Sequence, residues 1–326
     1  MKRILSVIKK NYKFVLGIFV GLTIAGTGVY AAVASSSISY SNSASGLSST
    51  NVQGAIDELA TKADIRKSPN IVSVYTYNAS TCVTGEETTC VKSTCHKSTA
   101  ANSCKAGDIV KYKVNDTDIV TFHVMYDNGT TLTMQSQRNI TYNSMWIDAA
   151  DYATENTDST SCSYTSCNDE GPITVLIALE SATAGWTNVN KQTYTMGTTS
   201  LSSKGAYTGC SAYNSCTTNK YTLPSRTSKA RMITLQEAAS FGCTASQKSC
   251  PNWMNNYLST SKNYGGTVND TSSGPNNGSV NYGYWTMSTD SAHQNRSWYI
   301  GDSGKVSDSN TDYTGYGARA VVVVNK

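Results

Sequence analysis

Residues 107–136 have the sequence GDIVKYKVNDTDIVTFHVMYDNGTTLTMQS, and this stretch decides the fold class. Three runs rich in β-branched and aromatic residues are separated by Asn115-Asp116 and by Asp127-Asn128-Gly129. Short polar turns between alternating apolar runs are a strong local signal for β-hairpins. The stretch therefore predicts three consecutive strands in an antiparallel meander. His123 lies inside the central run, where we expect a neighbouring group rather than a metal ion to satisfy its ring nitrogens.

Helices and further strands are predicted on the carboxyl side of this meander. Residues 172–184 form an apolar run that begins at Pro172 and is followed by Gly185, which predicts a helix. Thr234 and Glu237 have the spacing of a capping box, and Pro251 is expected at the first position of another helix. Three closing strands are predicted in the segments YGYWTMST, SWYIGDSG and ARAVVVV. The sequence thus predicts an α+β fold of antiparallel strands with two or three helices and long loops.

The body of the chain is polar but almost uncharged. The 326 residues carry a net charge of +4, but five lysines and arginines without any acid lie in the first 34 residues. Residues 35–326 therefore carry a net charge of only −1, because those five positive charges are removed from +4. This excludes the basic face that nucleic-acid binding requires. The chain has 21 tyrosines against 4 phenylalanines, and tyrosine tolerates water at its hydroxyl end, which suits an extracellular protein.

The N-terminal segment is predicted to direct export. Residues 1–13 are basic, and residues 14–34 form an uncharged stretch that ends in Ala32-Val33-Ala34. A small-x-small ending is typical of signal-peptidase sites, whereas about 20 apolar residues suffice to span a bilayer. Residues 1–34 are therefore either a cleaved signal peptide or a membrane anchor through residues 14–34. In both cases we expect the rest of the chain to be extracellular, secreted or held at the cell surface.

Residues 35–66 are predicted to form a Ser-rich linker and a short stalk helix. Val52, Ile56 and Leu59 recur at helical spacing, and Thr50 or Asn51 can cap the helix start. A helix of about three turns is unstable alone, so it packs on its own domain or on copies of itself through residues 51–63. The string SGLSSTNVQGAIDEL resembles a segment repeated in phage tail fibres and bacterial surface proteins. In those proteins it lies between stalk and head, so the resemblance implies the same place here.

Ten cysteines, all in the predicted exported part, indicate disulfides. Spacing suggests the local pairs Cys162–Cys167, Cys210–Cys216 and Cys243–Cys250. The four cysteines of the connecting segment 67–104 leave three pairings open: Cys82, Cys90, Cys95 and Cys104. A zinc site of Cys90, Cys95, His96 and Cys104 is the alternative, but the spacing lacks the usual C-x₂₋₄-C knuckle.

The order of motifs in residues 105–326 resembles the C-type-lectin-like fold in its bacterial form. The segments that carry the resemblance are ARMITLQEA, GYWTMST, SWYI-x-DSGKV and the final GARAVVVV. The same fold occurs in the formylglycine-generating-enzyme superfamily and in bacterial surface proteins. The resemblance implies that a set of large side chains builds the core rather than a site: Arg231, Trp285, Trp298 and Arg319.

Departures from these families matter for function. Formylglycine-generating enzymes use a cysteine pair near the C-terminus, but no cysteine follows Cys250, so we assign no catalytic residue. Calcium-dependent lectins use Glu/Gln-Pro-Asn/Asp and Trp-Asn-Asp ligands. Here only Gly274-Pro275-Asn276-Asn277 occurs, and a calcium site would have to draw on Asp302, Asp308 and Asp312. We therefore expect no metal and no cofactor, with calcium kept as the alternative.

In the resembling fold, loops before the last strands form the ligand face. They correspond here to residues 263–281 and 289–296. Tyrosine, asparagine and serine on a rigid scaffold make an adaptable binding surface. The expected ligand-binding residues are Tyr264, Tyr282, Tyr284, His293, Asn295 and Arg296.

The leading hypothesis is a non-enzymatic extracellular binding module, an adhesin or recognition head for a host or cell-surface glycan or protein. The second is a structural subunit of a tail-fibre-like or surface appendage, which rests on the NVQGAIDEL helix. An enzyme of formylglycine-generating type is the third, weakened by the absent late cysteines. A fourth is a retroelement-diversified lectin fold, with which the composition of residues 281–313 is compatible.

Overall fold

A computed structural model describes most of the chain after the predicted export segment. The chain divides into two compact units, residues 1–66 and 67–326. Among the described residues, no helix is both long enough and apolar enough to cross a membrane. The predicted export segment 1–34 lies outside the described residues. These are residues 39, 48–65, 70–82, 90–155, 167–196, 198–199, 221–222, 225–245, 248–258, 283–290, 292–293 and 295–326.

The first unit contains helix α1 (Val52–Ile65). Asn51 caps it, since its Oδ1 accepts a hydrogen bond from the backbone N–H of Gly54 at 2.7 Å. The Glu58 carboxylate accepts hydrogen bonds of 2.8–3.0 Å from the backbone N–H and hydroxyl groups of Ser48 and Ser49. The chain before the helix is thereby folded back onto its second turn.

The second unit is built from short strands and helices. Its helices are α2 (Ala149–Glu155), α3 (Ile173–Thr183), α4 (Leu235–Ser240) and α5 (Asn252–Asn255), with a 3₁₀ turn at Cys95–Lys97. Its strands are β1 (Ile71–Tyr75), β2 (Ile109–Lys113), β3 (Ile119–Asp127), β4 (Thr131–Ser136), β5 (Gln192–Thr195), β6 (Thr198–Thr199), β7 (Tyr221–Thr222), β8 (Ser225–Ser228), β9 (Gly283–Thr289), β10 (Arg296–Gly301), β11 (Val306–Asn310) and β12 (Val321–Asn325). The α+β class is confirmed, with four short α-helices among the described residues of this unit where two or three were expected.

The predicted meander is confirmed as the middle of a five-stranded antiparallel sheet in the order β1-β2-β3-β4-β12. The registers place Val110 opposite Phe122 and Val124 opposite Met134. Both faces of this sheet are covered. Phe122 and Met134 belong to one buried cluster with α3. Met125, on the opposite face of β3, belongs to a second cluster with α5.

The closing strands divide between two sheets. β12 pairs with β4, but β9 and β10 join β11 in a separate three-stranded sheet in the order β11-β10-β9. β11, with the sequence VSDSN, was not predicted, because it carries a single apolar residue. Reciprocal indole bonds hold β9 to the chain that follows β4. Trp146 Nε1 donates to the Thr286 carbonyl at 2.8 Å, and Trp285 Nε1 donates to the Ser144 carbonyl at 2.7 Å.

The capping box forms as predicted at the start of α4. The Thr234 hydroxyl accepts from the backbone N–H of Glu237, and the Glu237 carboxylate accepts from the backbone N–H of Thr234 at 2.9 Å. The position of Pro251 differs from the prediction. Its backbone is extended (φ −55°, ψ 145°), so it is the N-cap of α5 rather than the first helical residue.

Three disulfides join described cysteines that follow each other in the sequence. Cys82 bonds Cys90, Cys95 bonds Cys104 and Cys243 bonds Cys250. The first two bonds show which of the three open pairings occurs. They also engage all three sulfur atoms of the alternative zinc site. Cys167 is also disulfide-bonded, whereas Cys162, Cys210 and Cys216 lie outside the described residues.

A buried ion pair attaches the Cys-rich segment to the sheet. Asp127 Oδ2 accepts from the backbone N–H of Cys104 at 2.8 Å and from Lys326 Nζ at 2.7 Å. The Lys326 and Asp127 side chains are only 2% and 0% exposed. Burial alone would raise the pKa of Asp127, but the hydrogen bonds from Lys326, Cys104, Gly129 and Ser103 outweigh it and lower that pKa.

Candidate functional site

The expected ligand-binding residues that the structure describes do not form one surface. Tyr264 and Tyr282 lie outside the described residues. His293, Asn295 and Arg296 lie at or beside the start of β10, where each is partly or fully exposed. Tyr284 is instead completely buried within β9. The expectation of an exposed tyrosine at position 284 is therefore replaced by a core position.

Arg319 explains the burial of Tyr284. Its guanidinium lies 4.8 Å from the centre of the Tyr284 ring, and both side chains are 0% exposed. It also donates hydrogen bonds to the carbonyl oxygens of Met254 at 2.9 Å and Asn256 at 2.5 Å, at the carboxyl end of α5. Burial lowers the pKa of Arg319 to about 10 and raises that of Tyr284 to about 12, in each case because it disfavours the charged form. Both residues thus belong to the scaffold.

The other residues assigned to the core take different positions. Trp285 is completely buried, whereas Trp298 is partly buried and packs against the second cluster. Arg231 is 14% exposed in its side chain and pairs with Glu237 through two hydrogen bonds of 2.6 and 2.8 Å. This bidentate pair extends the capping box, since Glu237 Oε2 also accepts from Thr234.

A groove of about 420 Å³ lies over this bidentate pair. Tyr126 from β3 and Tyr194 from β5 contribute aromatic rings, and Met287 closes the floor. Tyr126 is 40% exposed, and its hydroxyl is 3.1 Å from the Ser240 hydroxyl. The remaining lining is polar: Thr195, Arg231, Thr234, Gln236, Glu237 and Ser240.

A second cluster combines two acids with an imidazole, where the connection between β9 and β10 meets β11. His293 Nδ1 lies 2.6 Å from Asp290 Oδ2, and Arg296 Nη1 donates to Asp308 Oδ2 at 2.9 Å. One donor atom from each of Asp290, His293 and Asp308 lies within 4.8 Å of the others. Burial raises the pKa of Asp290, and the negative charge of Asp308 raises it further against the opposing pull of His293. Of the three aspartates considered for calcium, this group includes Asp308 but not Asp302 or Asp312.

His123 is satisfied by a neighbour, as predicted. Its Nδ1 is 2.8 Å from the Gly107 carbonyl oxygen, which can only accept, so this nitrogen carries the proton. The ring packs near Trp253 and Tyr77 with centroid distances of 5.7 and 5.8 Å. Burial lowers the pKa of His123 to about 4, so the ring is neutral at physiological pH.

Comparison with known protein families, curated proteins and solved structures gives no match for this chain. Its function must therefore be argued from the geometry of its own residues.

Sequence reasoning named His293, Arg296 and Asp308 separately but predicted neither group of side chains as a group, for a common reason. The groove is formed by β3, β5 and the start of α4, whose lining residues are at least 36 positions apart along the chain. Asp290 and Asp308 approach each other only because β9 and β11 flank β10. The one available signal was local, since the capping box placed Thr234 and Glu237 at a helix start.

Proposed function

We propose that this chain is a non-enzymatic extracellular recognition module that binds a glycan in the groove at the start of α4. The observation that carries the proposal is the composition of that groove. Two tyrosine rings stand beside a planar Arg–Glu pair, an amide and several hydroxyl groups. Binding sites commonly combine an apolar wall with a few placed polar groups, and tyrosine supplies both an apolar face and a polar tip.

The groove is built for binding rather than for acid–base chemistry. The Glu237 carboxylate is occupied by Arg231 and by the backbone and hydroxyl of Thr234. Such saturation fixes the side chains before a ligand arrives, so little entropy is lost when one binds. The polar groups that stay open to solvent, Thr195 and Gln236, can serve the ligand.

The C-type-lectin-like fold remains part of this proposal. It is supported by the α+β architecture, by the capped helix that precedes the closing strands and by the core positions of Trp285 and Arg319. Export is supported by the disulfides, which persist in oxidising compartments. The alternative of a formylglycine-generating-type enzyme has less support, because Cys243 and Cys250 are bonded to each other in a disulfide.

A glycan array tests the groove. The intact chain is expected to bind a subset of glycans, and Tyr126→Ala is expected to weaken that binding about tenfold or more because an anchoring ring is lost. Tyr142→Ala is the matched control, since Tyr142 is also 40% exposed but does not line the groove. Folded protein that binds no glycan, or equal losses in both variants, contradicts the proposal; binding only to a protein array assigns the surface to a protein partner instead.

A second candidate is a structural subunit that oligomerises through α1. Ile56 on α1 is 52% exposed, and a three- to four-turn helix gains most of its stability from packing. The resemblance of residues 45–59 to tail-fibre segments favours the same role.

A further inference from the structure

We propose that Asp290, His293 and Asp308 form a binding site for a divalent transition-metal cation of the zinc class. The inference is independent of the glycan groove, because the two sets of residues are different. It rests on three potential ligand atoms that the fold brings within 4.8 Å of one another.

The ligands come from two parts of the three-stranded sheet, the connection between β9 and β10 and strand β11. Asp290 directly follows β9, His293 lies in the connection to β10, and Asp308 lies on β11 opposite Trp298. One imidazole and two carboxylates suit zinc-class ions, which take nitrogen and oxygen ligands at about 2.0–2.2 Å. Asp290 Oδ2 and His293 Nδ1 are already 2.6 Å apart, so these two atoms need only a small separation to share an ion.

The main chain that bears these ligands is held in place by Asn168. This completely buried side chain donates through Nδ2 to the carbonyl oxygens of Asp290 and His293, both at 2.8 Å, and lies 2.5 Å from that of Arg296. Supporting hydrogen bonds of this kind position the ligands of metal sites and limit their movement. Asp290 and His293 are therefore held in position before any ion arrives.

The electrostatics favour a cation between the two acids. Asp290 is only 3% exposed, and Asp308 brings a second carboxylate to within 4.8 Å of the Asp290 and His293 ligand atoms. The permanent positive charge in the cluster belongs to Arg296, whose guanidinium pairs with Asp308. A divalent ion would relieve the repulsion between the acids, but it must first displace Arg296 from Asp308.

Because the ion and Arg296 compete for Asp308, substitutions at neighbouring positions should change the affinity for the ion in opposite directions. The intact chain, without a histidine tag and in non-reducing buffer, is titrated with Zn²⁺ by calorimetry, with Ca²⁺ titrated in parallel. We expect one Zn²⁺ per chain, and Asp290→Asn and His293→Gln should each lower its affinity about tenfold or more. Arg296→Gln should raise the affinity about two- to fivefold, because the exposed ion pair no longer competes.

Asp302→Asn is the matched control, since Asp302 is an exposed acid in the turn between β10 and β11, outside the cluster, and it should leave the affinity unchanged. Circular dichroism establishes that each variant is folded. The inference is overturned if Zn²⁺ does not bind, if Asp290→Asn and His293→Gln bind as well as the parent, or if Arg296→Gln binds more weakly. Binding of Ca²⁺ in preference to Zn²⁺ also overturns it, because the imidazole would then have no role.

Discussion

The protonation of His123 ties the stability of the core to pH. The folded ring has a pKa of about 4 because burial disfavours its charge, whereas an exposed histidine has a pKa near 6.5. The unfolded chain therefore binds a proton more readily than the folded chain. The stabilising contribution is complete above about pH 6.5 and is lost as pH falls towards 4.

We expect the free energy of unfolding to fall by about 2 kcal/mol between pH 7 and pH 5 through this residue. Urea unfolding at the two pH values measures the change. His123→Gln keeps an N–H for the Gly107 carbonyl but cannot titrate, so its unfolding free energy should vary less over this range. An identical pH dependence in parent and variant contradicts the assignment.

At the scale of single residues, the ligand loops implied by the resemblance misplaced Tyr284. A tyrosine beside a glycine-rich loop suggests exposure, but every residue of β9 is buried. The strand is covered on both faces, and Arg319 from the distant end of the chain stacks on the ring. His123 was placed correctly because its long flanking runs identify a central strand.

At the scale of elements, Arg319 joins the approach to β12 with the end of α5. Its guanidinium donates to carbonyl oxygens that the last turn of a helix leaves without partners. Positive charge near a helix carboxyl end is also favoured by the helix dipole. These hydrogen bonds, together with the contact to the Tyr284 ring, offset the cost of burying the positive charge of Arg319.

Arg319→Met should lower the free energy of unfolding by about 3 kcal/mol, since buried carbonyl groups lose charged hydrogen bonds. Arg138→Met serves as the control, because Arg138 also stacks on a tyrosine, at 4.7 Å from the Tyr257 ring, but is partly exposed. Chemical denaturation of both variants measures the difference. A loss below about 1 kcal/mol in Arg319→Met would show that the contacts at α5 contribute little.

Elements that are marked by local sequence patterns could be predicted, but the elements with which they pair or pack could not. The meander, α3 and the capped start of α4 follow from turns, apolar runs and caps within about 15 residues. The pairing of β12 with β4 joins residues almost 190 positions apart, and no local pattern encodes that choice. β11 was not predicted, because VSDSN lacks the alternation of apolar and polar residues that indicates a strand.

At the scale of the whole molecule, the structural-subunit candidate predicts that α1 joins several chains. Ile56→Asp places a charge on the exposed apolar position of this helix. If copies associate through residues 51–63, this change should shift the intact chain from oligomer to monomer, because burying an unpaired carboxylate is costly.

Sedimentation equilibrium in a density-matched detergent measures the mass of the intact chain. Val91→Asp is the control, since Val91 is a 68% exposed apolar residue of the other unit and should leave the mass unchanged. A parent chain that is monomeric at all concentrations removes the structural-subunit candidate.

The consecutive pairing of the cysteines has a consequence for oxidative folding. Each of the three bonds between described cysteines joins partners 7 to 9 residues apart. If the chain is oxidised progressively from its amino end as it emerges, the first cysteine of each bond meets its native partner before any later cysteine appears. Vectorial oxidation by a simple thiol oxidase would then yield these three native bonds without a shuffling enzyme.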